Sequence, residues 1–555
     1  GQFSVNRKYS NGERFIDPLS SKTTASPRDG GHNLGDLYVD NGNNLSWNAN
    51  AALYYTRSFN KHNLNLSVAW EASSGSSDAT SAHYRGFPNG QFHSPNYAAE
   101  IYEKPSRTEG TSRMVSTWAT GNYTWNDIYL ADFSVRFDGS SDFGSKQRWA
   151  PFFSGGLGVN IHNYEFLKGN EIVNKLKVRA SYGRTGKASF PSYAATTMYE
   201  ALFDEWYATG FGAVLKALGN NNLSWEKTDK FNVGIEMQFL NRRLTVDADY
   251  YHDKTIDLVN DVSLSQTSGF SSYKDNMGEV LNQGFELQVR GEVFRNRDWL
   301  VALWGNMAHN QNKIVKISDS QRAYNLRVEQ FYQNSANEEY GRYNAQYAVP
   351  ISQYEEGQSL TSIWAVKSLG IDPTTGKEIF LNRDGSVSDT WNATQEVVVG
   401  NTEPKFNGSV GFNLAYKAWS LFAAFQYEWG GQEYNQTLVD RVENARIQYQ
   451  NVDLRVLTDR WKQPGDIAQF KDIKNADNVT MPTSRFVQDK AYLRLSALTL
   501  SYDFNREWIK KHLGMNMLRL EASTRDFINW NSIRQERGLS YPKSWTVDFS
   551  IKAQF

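Results

Sequence analysis

From Thr546 to Phe555 every second residue is apolar. Val547, Phe549, Ile551, Ala553 and Phe555 alternate with Thr546, Asp548, Ser550, Lys552 and Gln554. A repeat of two is the period of a β-strand with one face in apolar surroundings and the other in water. The pattern recurs along the chain. Leu64, Leu66, Val68 and Trp70 share one face, and Tyr129, Ala131, Phe133, Val135 and Phe137 oppose Asp132, Ser134, Arg136 and Asp138. Leu244, Val246, Ala248 and Tyr250 stand against Thr245, Asp247 and Asp249, and Trp419, Leu421, Ala423, Phe425 and Tyr427 repeat the motif. Near Ser496 the apolar parity switches from Leu493 and Leu495 to Leu498 and Leu500, which predicts a β-bulge.

The apolar surroundings are identified by composition. Mean hydropathy is −0.61, yet 14% of the residues are aromatic, with 17 Trp, 30 Tyr and 31 Phe. No run approaches the roughly 18 apolar residues of a membrane-crossing helix. A transmembrane antiparallel β-barrel reconciles the two values, because only alternate residues meet lipid while lumen and loops are polar. Val547, Phe549 and Ile551 are then lipid-facing. A net charge of −1 gives no general attraction for nucleic acid, and the absence of Cys excludes disulfides and thiolate metal sites.

Fifteen strands are expected, near 45–58, 63–71, 113–125, 128–138, 150–161, 176–182, 225–239, 244–253, 278–292, 299–310, 406–417, 419–427, 491–502, 515–524 and 546–555, with a strand remnant at 1–5. Their connections alternate short and long, the asymmetry of barrels with tight periplasmic turns and long extracellular loops. One of the longer short-side connections, 503–514, reads as a small helix with Asn505 as N-cap and Gly514 just past its end. The two longest loops are 311–405 and 428–490. The first carries apolar segments and the turn Asp372-Pro373-Thr374-Thr375-Gly376, which predicts an ordered wall rather than a disordered loop. The N-terminal "GQFSVNRKYS" has no initiator Met and no signal-peptide pattern, so the chain is expected to be the C-terminal part of something longer.

Several blocks resemble SusC/RagA-type TonB-dependent transporters. They are "FDGSSDFGSKQRWAPFFSGGLG" at 137–158, "LKVRASYGRTG" at 176–186, "NNLSWEKTDKFNVGIEMQFLNRRLTVDADYYHDKT" at 221–255 and "NMGEVLNQGFELQV" at 276–289. "SIWAVKSLGIDPTTGKEIFLNRDG" at 362–385, "VVVGNTEPKFNGSVGFNLAYKAWSL" at 397–421 and "AYLRLSALTLSYDF" at 491–504 complete the series. The resemblance implies a barrel of about 22 strands, of which residues 1–555 supply about the last 16. The plug, the TonB box and the first strands would lie outside this chain. It further implies active import of an oligosaccharide or oligopeptide, a SusD-like surface lipoprotein closing the mouth, TonB acting through the plug, and a dimer of transporter–lipoprotein pairs. By the same analogy Phe555 is a terminal assembly signal, read by the outer-membrane assembly machinery.

No residue set points to catalysis or to a cofactor. "DGSSDFG" at 138–144 fails the calcium-loop pattern, because position 6 is Phe143 and position 12 is Trp149. Neither H-E-x-x-H nor G-x-S-x-G occurs. Asp247 and Asp249 read as polar lining rather than as an acid/base pair. Tyr84, Phe87, Phe92, Trp206, Tyr207 and Trp391 are candidate substrate contacts, since exposed rings stack on sugars and pack on peptides. The alternative is that they pin loops together or meet a partner. A passive porin-like channel and a surface adhesion or structural protein remain the competing functions.

Overall fold

The alternating segments become one large antiparallel sheet because ladder hydrogen bonds pair each with its neighbour and the register gathers their apolar sets on a common face. In a computed structural model the protein is described except at 21–33, 145, 188–192, 194, 264–271, 277, 336–344, 446, 448–451, 476–478 and 535–544. The sheet runs through Gln2–Ile16, Asp36–Phe59, His62–Arg85, Glu100–Trp125, Tyr129–Ser140, Trp149–Asn160, Val173–Lys187 and Glu226–Phe239. It continues through Leu244–Ile256, Glu279–Arg295, Trp299–Lys316, Phe406–Tyr416, Trp419–Tyr434, Val487–Asp503, Met517–Arg525 and Thr546–Gln554, with Asn529–Asn531 extending the edge of Val487–Asp503. Each strand pairs antiparallel with the next in sequence. Among the described residues, Gln2–Ile16 and Thr546–Gln554 have one partner strand each, so the sheet is open along both.

Alternate connections fall at opposite ends. Residues 60–61, 126–128, 161–172, 240–243, 296–298, 417–418 and 504–516 lie at one, and 86–99, 141–148, 188–225, 257–278, 317–405, 435–486 and 526–545 at the other. At the first end the turn chemistry is legible. Asn126 and Asp127 both take positive φ, 54° and 57°, which short Asn and Asp side chains tolerate. Asn505 caps Arg506–Leu513 by accepting from the N–H groups of Glu507 and Trp508, and Gly514 follows at φ 66°. The bulge lies at Ser496: Ala424 faces Ala497 but Phe425 faces Leu495, and the Ser496 hydroxyl donates to the Ala424 carbonyl at 3.0 Å.

Several strands run well beyond their expected limits. The first reaches Ile16, and segments 72–85 and 100–112, expected as loop, are strand. These extensions, such as "EASSGSSDATSAHYR", lack apolar alternation. Backbone ladder bonds hold them, so the periodic signal that marks a half-buried strand is missing. Region 183–224, also read as loop, contains the paired strands Met198–Tyr207 and Gly210–Ala217.

Register stacks aromatic residues into two rows on the apolar face. At the short-turn end, Phe59, His62, Trp125 and Tyr129 are successive cross-strand partners, as are Trp299, Tyr416, Trp419 and Tyr502. Nearer the long loops, Tyr250, Phe285 and His309 pair in sequence, His309 lies 5.5 Å from the Phe406 ring, and Phe406 pairs with Trp429. On three neighbouring strands the rows sit ten residues apart, from Trp299 to His309, Tyr416 to Phe406 and Trp419 to Trp429. Ten residues of strand span about 33 Å.

Candidate functional site

The two long connections 317–405 and 435–486 fold together into a body above the sheet. Helix Asp319–Ser335 places Val328 and Tyr332 against Tyr347 and Ala393. A second core joins Leu438, Val439, Val442, Val456, Phe470 and Phe486 to Ala348 of the other connection. Val366 bridges Thr483 in parallel, crossing between the two. The turn at 372–376 closes as its sequence predicts: Gly376 N–H donates to the Asp372 carbonyl at 2.8 Å, and Gly376 takes φ 70°.

Buried charge ties the body together. Arg485 donates to Glu378 at 2.8 Å and to Glu443 at 2.7 Å, with Glu443 wholly buried. Burial by itself would raise the Glu443 pKa, but the Arg485 charge and hydrogen bond outweigh it and hold the carboxyl below the usual range. Burial likewise opposes the Arg485 charge, and Glu443 and Glu378 reverse that effect. Lys471 donates to Thr480 at 2.8 Å and Asn444 at 3.1 Å, and burial pushes its pKa down to about 8. Glu396, beside Gln353 and Arg383, is pushed up to about 8 by burial. By contrast Leu454, Leu457 and Ile467 of the same body point into solvent, Ile467 at 96% exposure.

The sheet's polar face carries paired charges. Lys175, Lys177 and Arg179 converge on Glu236, and Arg179 also reaches Asp249 at 2.6 Å. That reach crosses the intervening strand over Gly234, where an added Cβ would stand 2.4 Å from Asp249 Oδ1 and 2.8 Å from the Arg179 guanidinium carbon. Asp249 is thus half of an ion pair on this face.

Strand Phe406–Tyr416 stops short of its neighbours. Its ladder to Trp299–Lys316 ends at Ala308–Asn407, and its ladder to Trp419–Tyr434 ends at Phe406–Trp429. Beyond it lies a polar cleft of about 920 Å³, bordered by His309, Gln311, Lys405, Gln432, Asp489 and Ser532 among others.

The candidate contact residues occupy separate places. Trp391 is half-buried, edge-on to Tyr332 at 5.4 Å, and its indole N–H donates to the Pro482 carbonyl at 2.9 Å, linking the two long connections. Phe87 is buried edge-on to Phe15 at 5.1 Å, and Phe92 is exposed beside Tyr97 at 4.9 Å. Tyr84 is half-buried near the end of His62–Arg85, opposite Leu37. Trp206 and Tyr207 end the strand Met198–Tyr207, and their side chains lie outside the described residues. Val547, Phe549, Ile551 and Phe555 are all exposed. Sequence reading missed the Arg485 clamp, whose partners Glu378 and Glu443 lie 107 and 42 residues away, and it missed the cleft. No local pattern marks either.

Two of the quoted sequence blocks prove to be halves of one contact. Phe143 of "DGSSDFG" stacks on Trp225 of "NNLSWEK" at 4.2 Å, and Gly144 N–H donates to the Leu223 carbonyl at 3.2 Å. A Cβ on Gly144 would stand 2.1 Å from the Asn221 carbonyl oxygen, so only glycine fits. Among the described residues no group of three or more His, Asp or Glu could hold a metal ion.

Residues 2–523 match the family model described as TonB dependent receptor-like, beta-barrel. TonB-dependent receptor P3 of Formosa agariphila is 26% identical over 515 residues, 89% of this chain and 48% of that protein. TonB-dependent receptor SusC of Bacteroides thetaiotaomicron is 31% identical over 302 residues, 50% of this chain and 29% of that protein. Among solved structures, the RagAB peptide importer in its closed-closed state superposes with a TM-score of 0.81 at 22% identity, over 100% of this chain and 60% of that one. The chain spans about half the length, or less, of the relatives it matches in sequence.

Proposed function

Because this chain belongs to the TonB-dependent receptor-like β-barrel family, as a SusC/RagA-type barrel of the bacterial outer membrane, we propose that it serves active import of a nutrient oligomer. The observation that carries the membrane-spanning part of this reading is the pair of aromatic rows, while the active import follows from the family. Strands tilted about 45° convert a ten-residue, roughly 33 Å spacing into a band about 23 Å tall, close to the ~25 Å apolar band of outer-membrane barrels. Aromatic rings favour both membrane–water interfaces, so the rows mark its two edges. The apolar face then meets lipid and the polar face lines the lumen.

In this reading the sixteen-strand meander is the later part of a 22-strand barrel, and the remaining strands and the plug belong to the rest of the protein. The long-connection end faces outward. The body built from 317–405 and 435–486 forms a rigid wall at the mouth, where a SusD-like lipoprotein docks on exposed side chains such as Leu454, Leu457 and Ile467. TonB, drawing on the inner-membrane proton gradient, pulls the plug and releases an oligopeptide or oligosaccharide to the periplasm. A relative being a peptide importer favours peptide as the first substrate to test. This is transport, not catalysis.

Shortening 435–486 in the full-length protein tests the reading. Loss of lipoprotein co-purification and of growth on the cognate nutrient, with the barrel still inserted, is expected. A shortened protein that keeps both would overturn the role given to this body. Uptake that persists when the proton gradient is dissipated would make the barrel a passive pore.

A further inference from the structure

The polar cleft lies next to the upper aromatic row. His309 and Trp429 belong to that row and also border the cleft. On the reading above, whose outward assignment of the long-connection end this inference rests on, the cleft sits at the headgroup level of the outer leaflet.

Its chemistry is mixed in a specific way. Gln432 donates to Asp489 at 3.2 Å and accepts from Asn401 N–H at 3.1 Å, and Glu403 accepts from Asn312 N–H at 3.2 Å, so the lining is held in place. The Lys405 ammonium has no ion-pair partner among the described residues, although its carbonyl accepts from His309 at 2.6 Å. Side-chain amides offer donors and acceptors side by side, which suits vicinal hydroxyls. Trp429, 66% exposed, offers an aromatic face next to them. Below the row the wall is apolar through Val410, Phe425 and Leu303. A soluble sugar would use the upper part only, and a simple acyl chain the lower part only. An amphiphile with a polyhydroxylated, anionic head uses both.

We propose that this cleft binds the saccharide headgroup of an outer-leaflet glycolipid. The sugar lies among the amides and against Trp429, an anionic group of the head meets Lys405, and the acyl chains run down the adjoining apolar wall. Outer leaflets of bacterial outer membranes are built of such glycolipids, which supplies the ligand at high local concentration.

The test uses full-length transporter in detergent, titrated with deep-rough lipopolysaccharide, with phosphatidylglycerol and with the deacylated lipopolysaccharide saccharide, and read by native mass spectrometry. The acylated glycolipid should bind at least tenfold tighter than either other probe. The double variant Lys405→Ala/Gln311→Ala and the single variant Trp429→Ala should each lose that advantage while keeping the heat-modifiable folded band. Equal binding by wild type and both variants would overturn the site. Equal binding of phosphatidylglycerol would reduce it to a general lipid annulus, and equal binding of the deacylated saccharide would make it a soluble-sugar site. A single Ile467→Cys variant, in cells lacking the lipoprotein and compared with the unsubstituted transporter, can be probed on intact cells with an impermeant maleimide. Absence of surface labelling would overturn the outward orientation itself, whatever the cleft binds.

Discussion

Replacing Arg485 with Met should loosen the body built from 317–405 and 435–486 without unfolding the sheet. In the native protein the guanidinium spans Glu378 and Glu443 at 2.8 and 2.7 Å, with side-chain exposures of 11%, 9% and 0%. Methionine fills similar volume but leaves the wholly buried Glu443 without its strongest counter-charge. Removing one partner of a buried ion pair costs about 3–5 kcal/mol, because the remaining charge stays desolvated. At about 1.4 kcal/mol per tenfold, the opening equilibrium of the body should rise between roughly a hundredfold and a few thousandfold. Amide hydrogen exchange reads this directly. The N–H groups of Val366 and Ser484, which cross-link the two connections, should exchange faster by that factor. Those in Trp419–Tyr434 should not change. A triple variant, Arg485→Met with Glu378→Leu and Glu443→Leu, removes the charges together and should recover most of the protection. If Arg485→Met alone changes exchange by less than about threefold, the clamp is not what holds the two connections together.

Other expectations follow from the same structure. Leu303→Arg, midway between the aromatic rows on the apolar face, should cost about 2–4 kcal/mol of folded barrel, whereas Gln288→Arg on the polar face should be tolerated, as heat-modifiable electrophoresis would register. Glu396 is held protonated by burial up to about pH 8, while the same group in an opened body ionises near 4.5. The closed body therefore holds the extra proton across that window, and its stability falls as pH rises from about 4.5 to 8. Glu396→Gln should flatten this dependence in proteolysis of 317–405. Deleting Phe555 should slow membrane insertion and leave periplasmic aggregate, with transport per folded molecule unchanged; normal insertion kinetics would reduce Phe555 to one more exposed aromatic.

What the amino-acid sequence determined by itself is whatever a strand's own period encodes. Alternation marked the strands wherever one face met an apolar medium, and even the change of parity at Ser496 was visible, since one extra residue flips every following side chain. Local chemistry placed Asn505, Gly514 and the 372–376 turn, because caps and tight turns are settled within a few residues. The extensions at 72–85 and 100–112 left no such trace, because polar residues on both faces leave no period to read. The aromatic rows, the meeting of Phe143 with Trp225, the shared core under both long connections and the cleft beyond Phe406 came only with tertiary structure. Each depends on cross-strand register or on residues far apart in the chain. Trp391 shows the difference in a single side chain: its sequence context leaves ligand contact and loop pinning both open, and only packing gives its indole N–H to Pro482. Arg485 likewise finds Glu378 across 107 residues, a distance over which residue type carries no signal and only the fold can choose the partner.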